Sequence, residues 1–175
     1  MAAWDMVLRQ FVCEREHEDE QWYGHAYESV VRSRMTRGDW CYLLLSGERV
    51  AGAIFASQGP CYIPAVRYTL HLGADCVGFY DVYMSPSYRG RGLYAALFAA
   101  AVNDSLKQGF QRLWMWIMPH NRISLEVHNR LGLRHVFLKI TLRQRWGVCW
   151  HRIDRLDGSV QDLLAELSEG RGHNA

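Results

Sequence analysis

At 175 residues, with 49% hydrophobic and 22% charged residues, the chain has the size and composition of one soluble globular domain with a substantial core. A formal net charge of +2 without a Lys/Arg cluster argues against a nucleic-acid or membrane-surface partner. Five widely spaced cysteines with no C-x-x-C exclude a disulfide framework or zinc ribbon and fit a reduced, cytoplasmic setting, and the chain shows neither a signal peptide nor a run of about 18 apolar residues that would span a membrane.

In chain order, Met6 to Val12 reads as a first strand, and the charge run Glu14 to Glu20 as the solvated entrance to a helix. Trp22, Tyr23, Ala26, Tyr27, Val30 and Val31 recur at helical spacing, which predicts a helix from about Asp19 to Arg37 with an aromatic-rich inner face, ended by Gly38. Trp40 to Leu45 and Arg49 to Ser57 are expected as a β-hairpin joined by Ser46-Gly47-Glu48. From Gln58 to Asp75 the prolines and glycines predict an irregular stretch with a short strand at Val66 to Leu72, a place where substrate specificity could sit.

Val77 to Met84 is apolar except at Gly78 and Asp81, as a strand covered on both faces should be. It breaks at Ser85-Pro86-Ser87, passes through Arg89-Gly90-Arg91-Gly92, and enters a helix that closes near Gly109. A buried strand follows at Arg112 to Ile117, and a strand-helix-strand unit of this length predicts a parallel pair. Asn121 is a candidate N-cap and Gly132 a candidate C-terminal cap of the next helix, with Ile123, Val127 and Leu131 as its buried stripe. Asn121, Ser124 and His128 share the neighbouring face. Ile140 to Arg145 and Val148 to Ile153 close the fold as a strand pair, a short helix from Ser159 follows, and residues 169–175 form a disordered tail behind a single domain at 1–168.

Strand, glycine loop and helix make an anion site, because the first amides of a helix lack intrahelical partners and its dipole favours negative charge there. The loop is neither a P-loop, for no Lys-Ser or Lys-Thr follows, nor a dinucleotide fingerprint, for the third glycine is missing. Ser85-Pro86-Ser87-Tyr88-Arg89-Gly90-Arg91-Gly92-Leu93-Tyr94 resembles the acyl-CoA pyrophosphate loop of the GCN5-related N-acetyltransferase (GNAT) superfamily, [QR]-x-x-G-x-[GA], with Tyr94 where Gly or Ala is usual. Asn121, Ser124, Gly132 and Leu133 match a second pattern of that superfamily, with His128 in place of its tyrosine. Two motifs in the right order are far more specific than either alone.

The resemblance implies an α/β (α+β) fold, with a mixed, mostly antiparallel central sheet, one parallel strand pair around a cofactor crevice, and flanking helices. It also implies acetyl-CoA as acyl donor and a small-molecule primary amine, an amino sugar or polyamine-like compound, as acceptor. Backbone groups of Val82 and Met84 would meet the pantetheine arm and the acyl oxygen. Residues Arg89, Gly90, Arg91, Gly92, Leu93 and Tyr94 would hold the pyrophosphate, with Asn121 and Ser124 on the pantetheine arm and His128 facing the departing sulfur. Many relatives carry a glutamate base near the position of Gly78 or Phe79, so here Asp81, the carboxylate inside the apolar run, is the candidate base. No metal is expected, since no histidine pair or Cys–His cluster has ligand spacing. A longer acyl chain, a protein N-terminus as acceptor, a CoA-binding regulatory module without turnover, and a homodimer all stay open.

Overall fold

The computed structural model describes residues 9–13, 15, 27–63, 67–118, 120–132, 137–145 and 148–156. The chain divides into two compact units, residues 1–61 with 71–115, and residues 62–70 with 116–175. The predicted strand at Met6 to Val12 is overturned where it is described, because residues 9–13 and 15 are helical. Phe11, Val12 and Arg15 are all buried, which is one helical face rather than the alternation of a strand. Arg15 also corrects the reading of the charge run as wholly solvated. The proposed helix start at 19–26 lies outside the described residues.

In the first unit, helix α1 (Tyr27–Thr36) precedes strands β1 (Trp40–Ser46) and β2 (Arg49–Ser57). Gly38, at φ 88°, ends α1, and its N–H donates to the Met35 carbonyl at 3.0 Å. Ser46 pairs with Arg49, so the hairpin turn is the two residues Gly47 and Glu48 rather than three, with Gly47 taking φ 62°. After β2 in chain order, β3 (Cys61–Ile63) and β4 (Tyr68–Leu70) form a two-stranded ribbon where the sequence suggested one short strand. Strand β5 (Cys76–Met84), helix α2 (Leu93–Lys107) and strand β6 (Arg112–Met115) complete the unit.

The sheet order is β1-β2-β5-β6, antiparallel except for the parallel pair β5-β6, which is the mixed sheet the resemblance implied. Its first face is covered by α2, where Phe98 meets Phe79 edge-on at 5.9 Å. Tyr42 ties the same helix to β1 by donating to Asp104 at 2.8 Å. On the other face, Phe11 packs against Tyr27, Phe55 and Tyr83 with ring centroids 5.8, 6.3 and 5.8 Å away. Both faces of β2 and the first half of β5 are thereby buried, as continuous apolar strands require.

In the second unit, helix α3 (Arg122–Arg130) is followed by the antiparallel pair β7 (Phe137–Arg145) and β8 (Val148–Leu156). The expected stripe Ile123, Val127 and Leu131 is not the buried one. Ile123 is 80% exposed, whereas Leu125 and His128 are buried. The buried line of the helix runs through Leu125 and His128, with Ser124, Val127 and Leu131 half-buried and Asn121 exposed. The helix expected from Ser159, the tail and Leu133 lie outside the described residues.

Phe55 is wholly buried between Phe11, Tyr80 and an arginine. Phe55→Ala is expected to lower the unfolding free energy by about 3–5 kcal/mol, measured by urea denaturation.

Candidate acyl-CoA site

The parallel ladder between β5 and β6 pairs Cys76 with Arg112 through Phe79 with Met115. Its start is tied by Asp75, whose carbonyl accepts the Gln111 and Arg112 amides and whose carboxylate takes both Arg112 donors at 2.6 and 2.8 Å. The ladder stops at Phe79, yet β5 runs on to Met84. Among the described residues, that last half of β5 has a strand partner on the β2 side alone. An open edge of backbone donors and acceptors is the result.

The register between β2 and β5 shifts between Ala53 and Phe55, where Asp81 and Val82 together oppose Ile54. Asp81 takes φ 46°, the left-handed region that an L-residue other than Gly, Asn or Asp rarely enters. This is a β-bulge. Its effect shows in the side chains: Tyr80 and Tyr83, three apart, both stack on arginines of the α1 face.

Asp81 itself is engaged at both oxygens. Arg15 donates to Oδ1 at 2.6 Å, while Tyr27 donates to Oδ2 at 2.9 Å and Arg34 also binds Oδ2. Both guanidiniums are sandwiched by rings, Arg34 lying 4.6 Å from the Phe55 centroid and 5.0 Å from Tyr80, and Arg15 lying 4.8 Å from Tyr83. Although burial works against its charge, Arg34 is held firmly protonated by the Asp81 carboxylate. Both carboxylate oxygens of the candidate base are thereby engaged by donors from other elements. The sequence missed Arg15, Tyr27 and Arg34; the signal available was that an Asp in a buried strand needs partners.

After β5, a turn of 3-10 helix at Pro86–Tyr88 leads into the loop, held by the Tyr88 and Arg89 amides donating to Ser85 and Pro86 carbonyls at 2.9 and 3.2 Å. Arg89 Nε donates to the Met84 carbonyl at 2.8 Å, so this side chain fixes the end of β5. Gly90 and Gly92 both take φ 72°, where any side chain is strained. Gly92 is the N-cap of α2 and supplies no side-chain cap, which leaves the first turn, opened by Leu93, without a side-chain acceptor. Arg91 is exposed and lies 5.8 Å from the Tyr88 ring. The Tyr94 ring packs at 5.8 Å on Phe98, and burial raises its phenol pKa, so the departure from the usual small residue puts the ring onto the helix core.

Strand β5 thus brings Val82, Met84 and the loop together in the first unit. A second cluster sits on α3. Asn121 Oδ1 accepts the Ser124 amide at 3.1 Å, as an N-cap does. His128, 2% exposed, has Nδ1 at 2.6 Å from the Ser124 carbonyl and 3.3 Å from its hydroxyl. A carbonyl partner requires the proton on Nδ1, and this leaves Nε2 as the basic nitrogen of the neutral ring. Burial pushes the Cys41 thiol up to about 12 and the Cys61 thiol to about 11, so neither is a nucleophile at neutral pH.

The sequence model of the acetyltransferase (GNAT) family matches residues 3–133. An uncharacterised N-acetyltransferase of Methanocaldococcus jannaschii is 30% identical over 53 residues, 30% of this chain and 24% of that protein, so the match spans about a quarter of the relative's length. Among solved structures, aminoglycoside N-acetyltransferase AAC(6')-Iy with the bisubstrate analogue CoA-S-monomethyl-acetylneamine has a TM-score of 0.61 at 22% identity, covering 80% of this chain and 92% of that one. A Trypanosoma brucei acetyltransferase gives 0.57 at 19% identity, covering 82% and 96%. At these identities the structural likeness is one of fold.

Burial raises the phenols of Tyr27 and Tyr80 above the ordinary 10.0, with the neighbouring Asp81 and Asp39 adding to it. The folded state therefore keeps protons that the unfolded chain releases, and this stability is fully present below about pH 10 and lost as pH rises beyond it. Thermal melts from neutral to strongly alkaline pH should show Tm beginning to fall above pH 9.0, where the raised Cys41 and Cys61 thiols contribute, and falling more steeply above pH 10.0, with phenolate absorbance appearing together with unfolding.

Proposed function

This chain belongs to the acetyltransferase (GNAT) family, whose members are acetyl-CoA-dependent acyltransferases, and on that premise we propose that it acetylates the primary amine of a small molecule, of the amino-sugar or polyamine class. One observation carries the reading. Two left-handed glycines open an uncapped helix at the end of a strand that has run past its parallel neighbour. Such a helix start attracts a diphosphate, and the exposed edge before it offers a peptide-like pantetheine arm its backbone partners. The AAC(6')-Iy neighbour, bound to a bisubstrate analogue of CoA and acetylneamine, supports an amino-sugar acceptor.

In this reading the amides from Gly90 to Tyr94, with Arg89 and Arg91 nearby, hold the pyrophosphate. The Met84 N–H donates to the acyl oxygen as negative charge develops there, and Val82 contributes backbone contacts to the pantetheine arm. By the motif they match, Asn121 and Ser124 are assigned to the same arm. The amine must lose a proton and the sulfur must gain one. His128 is assigned that transfer, because the Ser124 carbonyl at Nδ1 selects the tautomer in which Nε2 carries the lone pair that would take the proton and return it to the thiolate.

Calorimetry with CoA and thiol release from acetyl-CoA against amino sugars, polyamines and peptide N-termini test the reading. Wild type should bind CoA and turn over with an amino sugar or polyamine; CoA binding without turnover on any amine favours the regulatory module. Gly92→Ala, which forces a side chain into the left-handed region at a cost of about 1–2 kcal/mol, should weaken CoA about tenfold or more. His128→Gln should lower kcat by about 100-fold or more while CoA affinity stays near wild type, and an unchanged kcat would remove His128 from the mechanism.

A further inference from the structure

The Ser85 N–H donates to the Ala51 carbonyl at 3.0 Å, so Ser85 faces β2. In an antiparallel ladder successive residues point their N–H and C=O to opposite edges, which turns Met84 to the open edge. Its carbonyl is indeed taken from that side, by Arg89 Nε at 2.8 Å. This phase exists only because β5 holds one extra residue. Pairing runs Phe55 with Tyr80 but Ala53 with Tyr83. Without the extra residue the alternation would reverse, and the Met84 amide would point at β2.

The extra residue is held by Asp81, in a backbone conformation that an L-side chain enters at a cost. What holds Asp81 there is a buried clasp from two other elements, Arg15 from the N-terminal helical segment and Arg34 from α1, with Tyr27 as a third donor. Arginine's planar fork and its stacking against Tyr27, Phe55, Tyr80 and Tyr83 restrict each guanidinium to one position. Side-chain relative exposures of 9% for each arginine and 6% for the aspartate keep water from competing.

We propose that the Arg15–Asp81–Arg34 clasp is a positioning device: it locks the extra residue of β5 and so selects Met84 as the amide facing the open edge. Its catalytic meaning rests on the acetyl-transfer reading of that edge, whereas its structural claim does not. Asp81, expected from the sequence as a base, is on this account a positioning residue.

The test measures amide hydrogen exchange at Met84 and Ser85, together with kcat, acetyl-CoA KM and Tm, in wild type, Asp81→Asn and Arg15→Met. Asn tolerates the left-handed conformation and keeps the shape but loses the charge. Arg15→Met leaves a balanced Arg34–Asp81 pair and a flexible apolar chain among the rings, so it carries the test if Asp81→Asn does not fold. In wild type the Ser85 amide should exchange far more slowly than that of Met84. Both variants should shrink that contrast by about tenfold or more and lower kcat by a similar factor, with KM within about threefold and the shape of the pH profile retained.

An unchanged exchange contrast in the variants overturns the clasp. So does a contrast that shrinks while kcat holds, since that is a stability effect alone. If Asp81→Asn removes one limb of the pH profile while Arg15→Met keeps wild-type turnover, Asp81 is the base and the proposal falls. Should wild type acetylate no amine, the acetyltransferase reading fails by itself, and the exchange contrast still decides the clasp.

Discussion

A single carboxylate held between two stacked guanidiniums organises the first unit of this protein. Asp81 sits inside a strand that is otherwise apolar, and an unpaired charge there would cost several kcal/mol. Arg15 and Arg34 meet it from two helical segments and thereby draw both onto the same face of the sheet. The cluster carries two cations for one anion, and the rings of Tyr27, Phe55, Tyr80 and Tyr83 receive the excess, because an aromatic face attracts a cation. Core packing and ion pairing are here one structure rather than two.

From that centre the strand is handed on to the loop. The bulge sets the phase of Tyr83, Met84 and Ser85; Arg89 then reaches back to the Met84 carbonyl, and Gly90 and Gly92 turn the chain into α2. Each step constrains the backbone and not a particular side chain, which suits the acyl-CoA site proposed there. The one residue that breaks the usual loop pattern, Tyr94, is accommodated because its ring has apolar company in Phe98. A bulky residue is tolerable in a phosphate loop when its side chain leaves on the helix side and its amide stays in the first turn.

The second unit shows the same economy on α3. Asn121 caps the helix, Ser124 receives that cap at its amide, and the carbonyl of Ser124 then holds His128 at Nδ1. The chain of bonds runs along one helix face and determines the tautomer of the ring. A tyrosine at this position could donate only through its hydroxyl, whereas imidazole can both take and give a proton near neutral pH. In the proposed function that difference would lie in how the proton is handled.

Local pattern alone was enough for the hairpin at Gly47, the strand-loop-helix from Cys76 to Lys107, the parallel return at Arg112 and the cap at Asn121, since each depends on residues a few positions apart. Three things were decided by tertiary structure. The segment at 9–15 became helix because Phe11, Val12 and Arg15 found a common face against the sheet, where the apolar run by itself was equally compatible with a strand. Helix α3 buried Leu125 and His128 rather than Ile123, because two stripes on one helix are both inward candidates until a neighbour chooses. The third is the set of partners that Asp81 acquires, for the plainest reason. Its two arginines lie 66 and 47 residues away along the chain, and no local spacing encodes a charge pair that only the folded sheet brings within hydrogen-bonding distance.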